Sequence, residues 1–205
     1  MVLNALMNTE IANVAARLIL SDGVSYASAK LKALKELGLP ERTPVPTNEA
    51  LDEAIRDYIA IFCPEQPREL LALRTHALFW MERLEALPAQ LRPHLTGSVW
   101  NGTATKQSDI WIQLFCDDAK AAELALIDKG QAFEVGSVRG FKGKMVDVLS
   151  IHSAWAGLGL KGRAEDVGVH LVVYDYDDLR GALVTGQRGD AKALSQRLGL
   201  AQHSR

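Results

Sequence analysis

The sequence predicts an α+β protein in which a helical N-terminal half is followed by a mixed, mainly antiparallel sheet with flanking helices. Two observations lead to this prediction. Apolar residues recur at helical spacing through residues 1–90. From residue 94 onward, they alternate with polar residues at the period of two that is typical of strands. We therefore predict a helical region over 1–90 and an α+β domain over 91–205.

The composition is that of an ordinary folded protein. The chain has 205 residues, of which 48% are hydrophobic and 23% charged, enough for one large domain or two small ones. The net charge of −2 lacks the basic excess of a typical nucleic-acid-binding domain. Cys63 and Cys116 stand in no metal-ligand or redox spacing, so we expect reduced, buried thiols in a cytoplasmic protein. We find neither a signal-peptide pattern nor an apolar run long enough to span a membrane.

Four helices are predicted in the N-terminal half. They occupy residues 8–20, 25–37, 47–62 and 67–86. Asn8 or Thr9 can cap the first helix, and Thr47 begins the third. Gly38 stops the second helix, and Pro40 follows it. The connector between the second and third helices is too short to join two mobile domains.

The second half is predicted to hold five strands and two helices. The strands lie near residues 94–97, 109–115, 132–138, 145–152 and 167–175. One helix is predicted over 117–129, where Asp117 or Asp118 can cap its start and Gly130 can end it. A last helix is predicted over 190–199. This order of elements favours helices on one side of a mixed sheet.

The strongest candidates for a functional site lie between Gly97 and Phe115. Gly97 and Ser98, with Gly102, form a turn of small residues whose backbone N–H groups could approach a phosphate closely. A strand with a period of two follows this turn. Its alternation places the side chains of Asp109, Trp111 and Gln113 on one face.

This stretch resembles the signature of the DNA polymerase β-like nucleotidyltransferase superfamily. That signature is Gly-Ser, a glycine four residues on, and then Ser-Asp-hydrophobic-Asp-hydrophobic on a strand. The matching positions are Gly97, Ser98, Gly102, Ala104, Ser108, Asp109, Ile110 and Ile112. Trp111 replaces the second strand carboxylate, which is a metal ligand in the superfamily. The resemblance therefore supports the fold more strongly than it supports the activity.

The helical half carries a second resemblance. The segment from Ile11 to Phe62 is similar to a group of proteobacterial proteins of about this length, which join a helical half to a polymerase β-like half. That group itself often lacks the second strand carboxylate. The resemblance thus extends over the whole chain, but it supplies no substrate.

The superfamily resemblance implies catalytic and metal-binding roles for two carboxylates. Asp109 matches the first carboxylate of the motif, and Asp147 is the better match for a later one. His170 is the alternative at that later position. Carboxylate oxygens are the ligands that Mg²⁺ prefers, but the indole of Trp111 cannot ligate it. We therefore expect a Mg²⁺ site that is weakened by Trp111.

The resemblance also implies a nucleotide-binding role for four residues at the turn and the start of the strand. They are Gly97, Ser98, Gly102 and Ser108. Lys142 and Lys144 lie in a glycine-rich hairpin and could contact a phosphate. The alternative for the two lysines is an ordinary solvated turn.

These patterns predict a degenerate nucleotidyltransferase-fold protein that binds a nucleoside triphosphate or a partner without transfer. Two alternatives stay open. One is an active Mg²⁺-dependent nucleotidyltransferase with a rearranged site that uses Asp109 and Asp147. The other is a protein-interaction module such as an antitoxin-like component. The sequence indicates neither a nucleic acid nor a membrane as a partner.

Overall fold

The computed structural model describes residues 2–155, 165–181 and 187–200. The chain divides into two compact units, Met1–Pro67 and Arg68–Arg205. This division falls one helix before the domain boundary at residue 90, which stays a prediction. Among the helices that the structure describes, none combines the length and the apolar content needed to cross a membrane.

The first unit contains three helices, α1 (Val2–Asp22), α2 (Tyr26–Glu36) and α3 (Asn48–Phe62). The Ser25 hydroxyl accepts the N–H of Ser28 at the start of α2. The Thr47 hydroxyl caps α3 in the same way, and each cap satisfies one of the donors that a helix start leaves open. The largest fully buried side chains of this unit are Ile11, Leu34, Leu51 and Ile55.

The second unit contains helices and strands close to their predicted positions. The helices are α4 (Gln66–Glu85), α5 (Gly97–Asn101), α6 (Ala119–Asp128), α7 (Asp178–Gly181) and α8 (Ala191–Arg197). The strands are β1 (Arg92–Thr96), β2 (Ile110–Cys116), β3 (Glu134–Arg139), β4 (Met145–Trp155), β5 (Glu165–Asp175) and β6 (Arg188–Gly189). The sequence did not predict α5 or β6, because each is too short to display a period.

The six strands form one mixed sheet with the order β3-β4-β5-β2-β1-β6. The pairing of β2 with β5 is parallel, and the other pairings are antiparallel. The α+β class with a mixed, mainly antiparallel sheet is therefore confirmed. Because β2 and β5 are neighbours at the centre of the sheet, the residues just before and along β2 lie beside those of β5.

The two faces of the sheet differ in what covers them. One face, here the helix-covered face, packs α4, α6 and α8 against a core that is fully buried at Ile110, Ile112, Leu114, Leu149, Val169 and Leu171. The opposite face, here the Trp111 face, carries the alternate residues of the same strands. At one end of that face, Phe115, Val148, Val172 and Tyr174 form a smaller apolar cluster.

The cysteines only partly follow the prediction of buried thiols. Cys116 is buried at the end of β2, and burial raises the pKa of its thiol to about 11. Cys63, in contrast, is only partly buried.

Candidate functional site

Asp109 lies directly before β2, where its carboxylate is held by two donors. Oδ1 accepts the backbone N–H of Gly168 at 3.2 Å. Oδ2 lies 3.3 Å from Nε2 of His170. The hydrogen bond with His170 is the main reason that the pKa of Asp109 lies below its ordinary value. The side chain is 50% exposed, so the carboxylate is fixed in place while it still faces solvent.

Gly168 leaves the space that the carboxylate occupies. A Cβ at this position would lie 2.6 Å from Oδ1 of Asp109 and 3.1 Å from Nε2 of His170. Real Cβ atoms essentially never approach another heavy atom as closely as the first of these distances. Glycine is therefore the residue that lets Asp109 lie against the backbone of β5.

His170 connects Asp109 to a third strand. Its Nδ1 lies 2.9 Å from the Ser150 hydroxyl on β4, which stands directly opposite His170 in the register. Because the Asp109 carboxylate can only accept, Nε2 carries a proton and donates it to Oδ2. A hydrogen-bonded chain from Asp109 to Ser150 thus crosses β2, β5 and β4.

Trp111 packs directly on this histidine. The two rings stack with their centroids 4.4 Å apart and an angle of 29° between their planes. The strand register places them side by side on parallel strands. His170 therefore contacts the carboxylate, the hydroxyl and the indole at once, and the stack leaves it 21% exposed.

The Gly97-Ser98 turn lies at the same end of the sheet. Gly97 has a φ of +71°, which favours glycine, and its position places a hypothetical Cβ 3.9 Å from the Cβ of Trp111. The carbonyl of Ser98 accepts the N–H groups of Gly102, Thr103 and Ala104 at 3.0–3.1 Å. The Gly102 N–H predicted to approach a phosphate is therefore engaged within the turn.

Two residues shape the loop between the turn and β2. Ser108, predicted to bind the nucleotide, accepts the N–H of Thr105 through its hydroxyl at 3.0 Å. Gly102 ends α5 with a φ of +92°, a left-handed conformation that glycine adopts most easily. These contacts give both residues a role in the backbone of the loop, and their role toward a nucleotide stays a prediction.

Two arginines that the sequence did not single out fix the end of α5. Arg74 donates to the carbonyls of Val99 and Trp100 at 3.0 Å each. Arg197 donates to the Trp100 carbonyl at 2.8 Å. A short helix leaves its last carbonyls unpaired and negatively polarised, so two cations there hold the turn in place.

The structure separates Asp147 from Asp109. Asp147 lies in β4 opposite Ser137, on the helix-covered side of the strand, whereas its neighbour Val148 faces the Trp111 cluster. The charge of Asp147 acts on Lys120 of α6, which covers that side. Joint ligation of one metal by Asp109 and Asp147 therefore does not fit, because the sheet lies between them.

His170, the alternative, shares the face of Asp109. The sequence left the choice between Asp147 and His170 open because it depends on how distant strands align. The register β4-β5-β2 places Trp111 beside His170 and His170 beside Ser150. Which of Asp147 and His170 corresponds to the later carboxylate of the motif stays a prediction.

The hairpin lysines lie far from Asp109. The hairpin contacts β5 through Phe141, whose ring lies 4.5 Å from that of Tyr174. Tyr174 is six residues along β5 from Gly168, or about 20 Å at the usual rise of a strand. Lys142 pairs with the carboxylate of Asp178, and Lys144 is exposed. The structure does not bring either lysine to Asp109.

The residues around Asp109 do not fit the Mg²⁺ site that the resemblance implies. Mg²⁺ takes hard oxygen ligands in octahedral geometry. Next to Asp109, however, the chain offers an indole and an imidazole, and Asp147 lies across the sheet. Within residues 2–155, 165–181 and 187–200, no three His, Cys, Asp or Glu side chains lie close enough together to hold a metal ion.

No protein-family model and no curated protein matches the chain. Among solved structures, a cytoplasmic RNA terminal U-transferase is similar with 18% identity and a TM-score of 0.34, over 51% of this chain and 30% of that one. A poly(U) polymerase is similar with 14% identity and a TM-score of 0.36, over 73% of this chain and 41% of that one. The same kind of enzyme with MgGTP bound has 12% identity, a TM-score of 0.36, and coverage of 62% and 38%.

These enzymes are polymerase β-like nucleotidyltransferases, the superfamily that the Gly97–Ile112 motif resembles. With identities of 12–18% and TM-scores of 0.34–0.36, the likeness supports no statement about the activity or the substrate of this chain. The chain spans less than half the length of each of these enzymes.

Proposed function

We propose that this protein binds a nucleotide through a nucleotidyltransferase-like domain that does not carry out transfer. One observation leads to the proposal. Where the motif calls for a group of carboxylates, the described residues that contact Asp109 or follow it along β2 on this face are His170, Trp111 and Gln113, and the Asp109 carboxylate is already held by Gly168 and His170.

Transfer by two metal ions needs ligands that can hold both ions beside the reacting phosphate. Neither Trp111 nor His170 can replace a carboxylate that bridges two hard cations, since one has no acceptor and the other offers a nitrogen. A histidine beside Asp109 instead stabilises the carboxylate by a hydrogen bond. The site is thus suited to holding a ligand and poorly suited to activating it.

Binding of a nucleotide is supported by the surroundings of Trp111. The indole is partly exposed, lies beside the Gly97 turn, and is held flat by the stack on His170. Aromatic side chains fixed in this way are common platforms for bases, because every base has a π face. The class of ligand is a nucleoside triphosphate, as expected from the motif.

Isothermal titration calorimetry against ATP, GTP, CTP and UTP, with and without Mg²⁺, tests the proposal. We expect binding of at least one triphosphate by the wild-type protein and weaker binding by Asp109→Ala. Absence of binding by all four, at protein concentrations that detect millimolar affinity, would refute the nucleotide-binding function.

The loss of transfer is tested separately by restoring the motif. We expect the wild type to transfer no label from an α-³²P-labelled triphosphate to any acceptor offered, including the protein itself. The double variant Trp111→Asp with His170→Asp replaces both rings by carboxylates, and we expect it to gain Mg²⁺-dependent nucleotide binding. Transfer by the wild-type protein would contradict the proposal and favour an active enzyme with a rearranged site.

The proposed location is the cytoplasm. It is supported by the buried thiol of Cys116, which forms no disulfide, since a reducing compartment keeps such thiols reduced. Lysis of cells directly into denaturant with an alkylating reagent tests it: we expect Cys116 to be alkylated, and a Cys116 that reacts only after reduction would contradict the location.

A further inference from the structure

A second group of charges lies on the Trp111 face, around the ring of Phe115. The guanidinium of Arg188 lies over that ring, 4.9 Å from its centroid. The imidazole of His94 meets the same ring edge-on, with 5.4 Å between centroids. Arg92 stands opposite Phe115 in the register and lies 4.6 Å from the ring centroid of Tyr176. We call Arg92 and Arg188 the cation cluster.

Arg188 is positioned by two hydrogen bonds. It donates to Oε1 of Gln113 at 3.2 Å and to the carbonyl of Leu179 at 3.3 Å. Gln113 is only 7% exposed, so it offers a fixed acceptor on β2. The Arg188 side chain thus extends from β6 across β1, and these contacts fix its guanidinium over β2.

Charges of both signs surround the two arginines. Burial lowers the pKa of His94 most, and the charges of Arg188 and Arg92 lower it further, whereas Asp190 at the start of α8 has the opposite effect. Asp117, Asp118 and Asp175 act on Cys116 at the end of β2, beside Phe115. Within these surroundings, the fork of each arginine is suited to phosphate oxygens.

The cation cluster lies at a useful distance from Trp111. In the register, Arg188 stands opposite Thr96, and Thr96 stands opposite Trp111. The guanidinium of Arg188, however, lies over the ring of Phe115, which is four residues along β2 from Trp111 on the same face, or about 14 Å. A nucleoside polyphosphate has the same order of length between its base and its outer phosphates. An aromatic ring and an arginine at this separation fit its two ends.

We propose that the cation cluster holds the phosphates of a nucleoside polyphosphate whose base stacks on Trp111, so that binding needs no divalent cation. The inference rests on the proposed function and names how the same site neutralises the ligand. Arginine charge takes the part that Mg²⁺ would have beside a full set of carboxylates. The residues around Asp109 do not fit a Mg²⁺ site. The positive charge that neutralises the phosphates would therefore come from the arginines elsewhere on the Trp111 face.

The test is calorimetric titration of ATP and of inorganic pyrophosphate into the protein in excess EDTA. We expect the same affinity for ATP with EDTA as with Mg²⁺, and weaker binding of pyrophosphate because it has no base to stack. Arg92→Gln should weaken ATP binding about tenfold, the usual effect of losing one charge-assisted hydrogen bond. Arg92 is exposed, so this change leaves the fold intact.

Arg83→Gln is the matched control. Like Arg92, Arg83 is exposed and lies over an aromatic ring, here Trp80 at 5.0 Å, but it belongs to α4. We expect its affinity for ATP to equal that of the wild type. Arg188→Lys is a second variant, which keeps the positive charge and loses the two-pronged guanidinium. We expect it to weaken ATP binding. An unchanged near-UV circular dichroism spectrum would show that its tertiary packing is intact.

The outcomes separate the two proposals. Binding that requires Mg²⁺, or that is equally strong in the Arg92→Gln and Arg83→Gln variants, overturns the cation cluster and leaves nucleotide binding in place. Absence of ATP binding under every condition refutes the proposed function itself. Binding in EDTA that Arg92→Gln weakens and Arg83→Gln does not supports the inference.

Discussion

The two faces of the sheet are built from alternate residues of the same strands, yet they differ in burial and in the kind of contacts that their side chains make. On the helix-covered face, Ile110, Ile112 and Leu114 of β2 are fully buried. On the Trp111 face, the intervening positions are a ring and an amide whose contacts are specific hydrogen bonds and stacks. One face thus supplies most of the stability and leaves the other free to carry polar residues.

The largest effect on stability is expected from Ile112→Ala. Removing a large side chain from a fully buried position costs about 2–5 kcal/mol in free energy of unfolding, measured by urea denaturation. His152→Ala on β4 is the comparison on the other face. His152 is exposed, so we expect a change within about 0.5 kcal/mol. Similar losses for the two variants would remove the distinction between the faces.

Gly168→Ala tests whether the Trp111 face has its own tight packing. The new Cβ would displace the Asp109 carboxylate, and overpacking of this kind costs about 1–3 kcal/mol. We also expect the pKa of Asp109 to rise toward its ordinary 3.8 in an NMR titration. Gly136→Ala is the control, because no atom lies within 4 Å of its new Cβ. An unchanged Asp109 titration would mean that the carboxylate is not held by this backbone.

His170→Gln gives a smaller effect with a defined pH dependence. The hydrogen bond from His170 lowers the pKa of Asp109 in the folded protein. A carboxyl group with a lowered folded pKa stabilises the protein above its unfolded pKa, about 3.9, and loses this contribution as pH falls through the folded value. We therefore expect the wild type to be more stable than His170→Gln at neutral pH, with the part due to Asp109 disappearing in acid.

Urea denaturation of both proteins from neutral pH down to pH 2 measures this difference. A stability difference that grows as the pH falls below the ordinary pKa of Asp109 would contradict the role given to the Asp109–His170 hydrogen bond.

The smallest effect is expected from Asp147→Asn. Asp147 is exposed and lies across the sheet from Asp109. We expect a change in stability within about 0.5 kcal/mol and an unchanged affinity for ATP in the calorimetric titration. Loss of nucleotide binding in this variant would return Asp147 to the site and overturn the separation of the two carboxylates.

Much of the fold follows from local patterns, while the arrangement of the site does not. The helical period over α1 to α4 and the alternation along β2 predict these elements and the common face of Trp111 and Gln113. The contact of Asp109 with His170, in contrast, depends on the pairing of β2 with β5. That register is a non-local property, so the sequence favours Asp147 and keeps His170 only as an alternative.

Short elements account for most of the remaining differences. Arg188 lies on a strand of two residues, and Gly97 begins a helix of five. Neither is long enough to display a period. The sequence therefore gives no sign that Arg188 reaches Gln113, or that the Gly97-Ser98 turn opens a helix. Only the three-dimensional pairing of β1 with β6 assembles the cation cluster.

The stack of Trp111 on His170 has a consequence for how this chain could have evolved. Each of the two rings packs against the other. Replacing one ring by an acid would therefore remove the stacking contact of the remaining ring and add a second carboxylate near Asp109. The two positions are therefore epistatic, and their effects on stability should not add. Descendants of a common ancestor should carry either two acids or two rings at these positions, with mixed pairs rare among them.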